Sequence, residues 1–269
     1  MAGGPELLVV ADPEAAAGAA AERIADVLAT SIVERGRADW ATTGGSSVVG
    51  IYRRLVADPL RDAVPWPAVH VWWGDDRYVP CDHPLSNVKP LDDILLGIGL
   101  TEEGVAGGPG PGVPLPVGNL HPFRTGEAIG EGRGAGWCAT ALADELRAAR
   151  LRPDDDAWPV FDLLLLGVGA DGHLLSVFPG SPALGSSDLA LAIPAPSHIE
   201  PHVERVTLNP ALIGAARRVL VVATGAGKAP VLAEVFGETR DPGRWPAQLA
   251  RRDGAIWILD AAAAASLPR

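Results

Sequence analysis

Cysteine, lysine and long apolar runs are scarce in this chain, and each scarcity excludes something. Cys81 and Cys138 are the only cysteines. With no CxxC pair and no metal-finger spacing, they encode neither a disulfide framework nor a zinc module, so a reducing, cytoplasmic setting is expected. No stretch approaches the roughly 20 apolar residues of a membrane span. The opening "MAGGPELLVV" lacks the basic run and the apolar length of a signal peptide. Of 22 basic residues only Lys89 and Lys228 are lysine. Where a sequence otherwise chooses arginine, a lysine marks a position suited to a compact, rotatable charge. A net charge of −11 argues against a nucleic-acid surface and for a soluble enzyme.

What is present is an alternation of short apolar runs with helix-period segments over 269 residues, 48% hydrophobic and 20% charged. "ELLVV" at 6–10 reads as a strand. Asp12 and Pro13 supply an N-cap and a first-turn proline, and Ile24, Val27, Leu28 and Ile32 make one helical face that ends near Gly36. Strands are expected at 38–43, 68–74, 161–168, 217–224 and 255–260, the last followed by an Ala-rich helix. Val48, Val49, Tyr52, Leu55 and Val56 line a second helix, and "SNVKPLDDILLG" predicts another from a Ser cap. Strands separated by helices imply a Rossmann-like α/β fold, with a mostly parallel central sheet and helices on both faces. The Gly/Pro tract 104–119 reads as a surface loop within one domain spanning 1–269, and no internal repeat interrupts it.

In such sheets ligands bind beyond the carboxyl ends of the strands, so the residues after each strand carry the functional reading. After 38–43 comes "TTGGSSVVG". It is either a tight Gly-Gly turn with Ser46 as a plain helix cap, or an anion site built from hydroxyls, close backbone and a helix N-terminus. No GK[ST] or GxGxxG occurs there. After 68–74 comes "GDDRYVPCDHPLSN". Asp75, Asp76 and Arg77 are either a self-neutralising cluster or a planar cation presented to a phosphate or carboxylate. After 161–168 comes Asp171-Gly172-His173, where the acid is near enough to orient an imidazole suited to general acid–base work. After 217–223 comes "TGAGKAPVL". A lysine at a helix start opposes the dipole, and an anion bound at that end would remove the objection. Arg205 precedes this strand in a short apolar segment. The other histidines are given no role, and a metal pair at His198 and His202 is rejected for want of a third ligand. No GxSxG elbow supports a serine nucleophile.

Together "TTGGSS", "WGDDRYVP…SN", "LLLLGVGADGHLLSVFPGSPAL" and "RVTLNPALIGAARRVLVVATGAGK" resemble, in order, the motifs of the 6-phosphogluconolactonase family, which groups with glucosamine-6-phosphate isomerases. The resemblance implies hydrolysis of 6-phospho-D-glucono-1,5-lactone in the oxidative pentose phosphate pathway, with no organic cofactor and no metal ligand named. Carried over residue by residue, phosphate binding falls on Thr43, Gly44, Gly45, Ser46, Arg205 and Lys228. The catalytic histidine falls on His173, with Asp75 and Arg77 lining the site; beside the resemblance, Asp171 is read as orienting His173, and Arg77 or backbone N–H groups near Gly169–Gly172 as facing the oxyanion. The expected partner is a small sugar-phosphate lactone, with no nucleic acid and no membrane, for a monomer or weak homodimer. Thr43, Val48, Asp76 and Leu85 depart from the family pattern, which has Ser, Pro, Glu and an acid there. The related deaminases carry a Phe-Asn-Glu-Pro stretch after Asp-Gly-His. Here "SVFPG" stands in its place, and no acid occurs between Asp171 and Asp188.

Overall fold

The computed structural model describes residues 4–97, 112–149, 151 and 158–268. Ten strands run in chain order: β1 Glu6–Val10, β2 Ala38–Thr42, β3 Val69–Trp73, β4 Asp75–Arg77, β5 Leu120–His121, β6 Leu163–Gly167, β7 Ala190–Ile193, β8 Arg205–Leu208, β9 Arg218–Ala223 and β10 Ala255–Asp260. The helices are α1 Pro13–Arg35, α2 Ser46–Leu55, α3 Leu60–Ala63, α4 Thr125–Gly130, α5 Ala135–Ala148, α6 Ala211–Ala215 and α7 Ala229–Val235. Seven strands form a parallel sheet in the order β1-β10-β9-β6-β2-β3-β5. β2 is buried throughout, and β6 and β9 are buried along nearly all their length, as strands covered on both faces must be. No helix among the described residues is long and apolar enough to cross a membrane.

The first helix follows its sequence signals closely. Asp12 accepts a hydrogen bond from the Ala15 N–H at 2.8 Å, Pro13 occupies the first turn, and Gly36 closes the helix at φ 79°. Ala16, Ala20, Ile24 and Leu28 form the buried stripe, which lies against β10, β2 and β9. Two expected helices differ in detail from the expectation. The Ala-rich tail is only a short 3₁₀ turn at Ala263–Ser266, started by the Asp260 carboxylate accepting from the Ala263 N–H. The helix expected after Ser86 forms over 89–95, but from Leu91 to Leu95 it is wound as a π-helix; Ser86 Oγ accepts from the Val88 N–H at 3.1 Å while its hydroxyl donates to Asp76. Part of the 104–119 tract lies outside the described residues.

A second sheet was not foreseen. β4, β8 and β7 pair antiparallel, with Arg77 directly opposite Arg205. The segment expected to be a loop after β3 is therefore a strand. Asp76, fully buried, accepts from the Arg77 and Asn87 N–H groups at 2.8 and 2.7 Å and from the Ser86 hydroxyl at 3.0 Å. It thereby anchors residues 86–87 beneath β4.

The order of the large sheet positions the site. β9, β6 and β2 are neighbours and parallel, so the turns after all three emerge side by side at one edge.

Burial pushes the Asp76 carboxyl up to about 7, against the hydrogen bonds it accepts and with help from Asp75. An unfolded aspartate titrates near 4. The raised value means that this group favours the native state most below about pH 4, and that the contribution is lost as pH rises through about 7. The stability of the wild type relative to Asp76→Asn is expected to fall between about pH 5 and about pH 8. Urea midpoints at each pH measure this, and a flat or rising difference contradicts it.

Candidate active site

β6 delivers a buried run of leucines to a turn that folds back sharply. The Gly169 N–H donates to the His173 carbonyl at 2.8 Å and the Gly172 N–H to the Gly169 carbonyl at 3.1 Å. These two amides are therefore engaged inside the turn and are not oxyanion donors, which removes them from the 169–172 set expected above. The fold-back lays the His173 ring over Gly169: a Cβ at 169 would stand 2.0 Å from His173 Nδ1 and 2.6 Å from Asp171 Oδ1. Only glycine fits there. Asp171 Oδ1 lies 2.5 Å from His173 Nδ1, and Oδ2 lies 2.8 Å from His198 Nε2. Half-burial alone would raise the Asp171 pKa, but the hydrogen bonds and charge of His173, joined by the bond from His198, outweigh it and hold the carboxyl well below its usual range. An ionised carboxylate only accepts, so both imidazoles donate to it and His173 Nε2 is left as the free ring nitrogen. Leu175, at φ 54°, holds a left-handed conformation unusual for a leucine two residues past His173.

The facing wall comes from the small sheet. Arg77 donates to the Leu85 carbonyl and to Asn87 Oδ1, both at 2.8 Å, while Asn87 Nδ2 donates to the Asp75 carbonyl at 2.8 Å. Asp75 Oδ2 accepts from the Ser176 hydroxyl at 2.6 Å. Arg205 is almost fully buried, lies 5.6 Å above the Phe178 ring and donates to the Pro201 carbonyl at 3.1 Å. Burial and the neighbouring Arg77 charge lower its pKa, against the pull of Asp75, Asp76 and Asp171. The Nε atoms of Arg77 and Arg205 are both buried without a partner. Two guanidinium groups, each with an unpartnered Nε, beside a cavity favour an anionic or oxyanionic occupant.

A cavity of about 280 Å³ is lined by His173, Asp75, Arg77, Asn87, Arg205 and Lys228, and by the Gly-Gly turn at Thr43–Gly45. A smaller one, about 150 Å³, adjoins it between Thr43–Ser47, Thr224 and the same Lys228. Gly45, not Ser46, occupies the cap position of α2 and brings no side-chain hydrogen bond, so the first amides of that helix are left uncapped. Gly44 permits a close crossing, since a Cβ there would stand 1.8 Å from Asn87 Oδ1. Lys228 caps α7. Burial lowers its pKa, and the Asp171 charge opposes that shift. Among the described residues its ammonium group has no ion-pair partner. A larger cavity of about 560 Å³ at the other end of the strands is lined by Arg35, Asp162 and Arg217, but Asp162 already pairs with both arginines at 3.0 and 3.2 Å.

Nine of the ten residues expected from sequence thus line two adjoining cavities, and the tenth, Asp171, stands behind His173 and is bonded to it. Arg205 stands in the cavity of His173 and Arg77, while Ser46 lines the smaller one. Three contributors were missed. Asn87 and Ser176 hold Arg77 and Asp75, and their short polar side chains carried no distinctive signal. His198, given no role above, reaches Asp171 from a proline-flanked loop 27 residues away, a contact that no spacing reveals. The metal question at His198 and His202 has a geometric answer: His198 faces Asp171, whereas His202 faces the Pro196 carbonyl and Glu200. Gly167–Gly172 also spells GxGxxG, but no helix follows it, so the dipole that such a fingerprint needs is missing.

A family model described as glucosamine-6-phosphate isomerases/6-phosphogluconolactonase matches residues 11–258. The chain is 33% identical over 268 residues to a 6-phosphogluconolactonase of Streptomyces coelicolor, covering 98% of this chain and 95% of that one. It is 34% identical over 238 residues to one of Synechocystis, covering 88% of each. The solved 6-phosphogluconolactonase from Trypanosoma cruzi superposes with a TM-score of 0.81 at 26% identity, over 100% of this chain and 99% of that one. With nearly its whole length matched, and the turns after β2, β6 and β9 gathered around one imidazole and one lysine, this chain belongs to the glucosamine-6-phosphate isomerase/6-phosphogluconolactonase family.

Proposed function

We propose that this chain, acting as one α/β domain, hydrolyses 6-phospho-D-glucono-1,5-lactone to 6-phospho-D-gluconate in the oxidative pentose phosphate pathway, as a cytoplasmic, monomeric or weakly dimeric enzyme. One observation carries the reading: a carboxylate-oriented imidazole and a lysine with no ion-pair partner among the described residues border the same cavity. The phosphate occupies the smaller chamber against Thr43, Gly44, Gly45, Ser46 and Lys228, where helix amides and an ammonium group favour a dianion. The lactone ring then lies in the larger chamber.

Asp171 holds the His173 proton on Nδ1, so Nε2 accepts a proton from water as the water oxygen bonds to C1. The carbonyl electrons move onto oxygen, and Arg77 and Arg205 face that developing charge. When the tetrahedral centre collapses, the bond from C1 to the ring oxygen breaks. The imidazolium returns its proton to that oxygen, leaving the open-chain acid and an unchanged enzyme. Asp75, held by Ser176 and Asn87, fixes the wall that carries Arg77. The deaminase alternative needs a carboxylate to assist ring opening. The turn after His173 supplies only Ser176, whose hydroxyl is already donated to Asp75. The relatives of 33–34% identity bear the lactonase name.

A coupled assay with fresh lactone, corrected for spontaneous opening and run beside glucosamine 6-phosphate, tests the proposal. Hydrolysis of the first without ammonia release from the second is expected, and the opposite result overturns it. His173→Ala is expected to lower kcat by about a hundredfold or more while KM stays near wild type; a near-normal rate removes His173 from the mechanism. Lys228→Ala should instead raise KM with a smaller effect on kcat, and an unchanged KM excludes the phosphate role. Gly169→Ala, which displaces the imidazole, should approach the His173→Ala rate while leaving the unfolding free energy from urea titration within about 1 kcal/mol of wild type. Full activity in that variant contradicts the fold-back geometry.

A further inference from the structure

We infer that His198 is a positioning residue for the proposed reaction, holding the Asp171 carboxylate in the one orientation that serves His173. The inference rests on the hydrolytic reading for its kinetic consequence, but its geometry stands on its own. Asp171 Oδ1 takes the His173 Nδ1–H at 2.5 Å and, more weakly, the His173 backbone N–H at 3.2 Å. Both donors sit on one oxygen and belong to one residue. A carboxylate held at a single oxygen still turns about its Cβ–Cγ bond, and terminal torsions of this kind are broad. The bond from His198 Nε2 to Oδ2, at 2.8 Å, grips the other oxygen and removes that freedom.

His198 is itself held for the task. It lies in the connection between β7 and β8, where His202 Nδ1 donates to the Pro196 carbonyl at 2.7 Å and Arg205 to the Pro201 carbonyl at 3.1 Å. Its ring meets Phe178 edge-on at 5.6 Å, and Phe178 packs 4.7 Å from the His173 ring. One aromatic side chain therefore spaces the two imidazoles that share the carboxylate. The His198 side chain remains about half exposed, at 49%, so packing gives no reason for an imidazole there. The charges that act on the shared carboxylate, besides the two imidazoles, are those of Lys228 and Arg205. Neither is placed to replace the His198 bond: Arg205 donates to Pro201, and Lys228 borders the phosphate chamber.

Around metal sites, removing an outer partner that orients a ligating histidine typically costs about 10- to 100-fold in activity, and the low end of that range is expected for the analogous carboxylate–histidine support here. His198→Ala is expected to lower kcat for the lactone about tenfold, with KM within about twofold because the phosphate chamber is untouched. His198→Gln, whose amide N–H reaches Oδ2 on a comparable arm, should restore most of that loss. In the substrate-free enzyme, proton NMR should show the His173 Nδ1–H as a strongly downfield resonance, present in the wild type and the Gln variant and broadened or lost in the Ala variant. Wild-type kcat in His198→Ala alongside the large loss in His173→Ala overturns the inference and leaves the hydrolytic reading intact. A kcat loss that Gln does not rescue also overturns it, since the ring and not the hydrogen bond would then matter. So does a downfield resonance that is absent from the wild type or unchanged in the Ala variant. If the wild type does not open the lactone at all, the functional reading fails, and the NMR comparison still decides the role of His198.

Discussion

A carboxylate and an imidazole two residues apart can meet only where the chain doubles back, and the 2.5 Å contact between Asp171 and His173 is that doubling back. Three features follow from it. Position 169 must lack a side chain, because the imidazole lies where a Cβ would be. Asp171 stays ionised despite half-burial, since it accepts from two imidazoles. The His173 proton sits on Nδ1, which frees Nε2 toward the cavity. A flexible loop ending in the same three residues would have none of these properties, because an unheld imidazole loses much of its catalytic advantage to orientation.

The opposite half of the site is a problem of charge. A chain of net charge −11 must concentrate positive potential to attract a sugar phosphate, and it does so locally. Arg77 and Arg205 are forced side by side by the pairing of β4 with β8, while Lys228 approaches from the end of β9. Burial lowers the pKa of both Arg205 and Lys228, and the neighbouring Arg77 charge lowers that of Arg205 further. The unpartnered Nε atoms of both arginines point the same way. The small antiparallel sheet is thus more than an appendage, because it fixes the spacing of two cations that would otherwise separate.

Much of this was legible in the sequence, for identifiable reasons. The α1 signals at Asp12, Pro13 and Gly36 are local, and each appears in the structure as expected. The central strands announced themselves by continuous apolar runs, and the residues at their ends by the rule that parallel sheets bind ligands there. The small sheet was illegible because β4 is only Asp75–Arg77. Three charged residues carry no strand pattern, and their pairing with Arg205 spans a long sequence separation. The helix expected after Ser86 is present over 89–95, and only its π winding at Leu91–Leu95 had no sequence signal. The role of His198 was hidden because its partner is chosen by the fold, and nothing around it in the chain has catalytic spacing.

His173, Arg77, Arg205, Lys228 and the Gly-Gly turn border one cavity of about 280 Å³, and the proposed function places the substrate phosphate against the lysine and the turn. A crystal structure with 6-phosphogluconate bound tests it most directly. The predicted result puts the phosphate against Lys228 and residues 43–46, and the C1 carboxylate within hydrogen-bonding distance of His173 Nε2 and beside Arg77. A product bound with its carboxylate on Lys228, or with C1 out of reach of His173, would contradict the account.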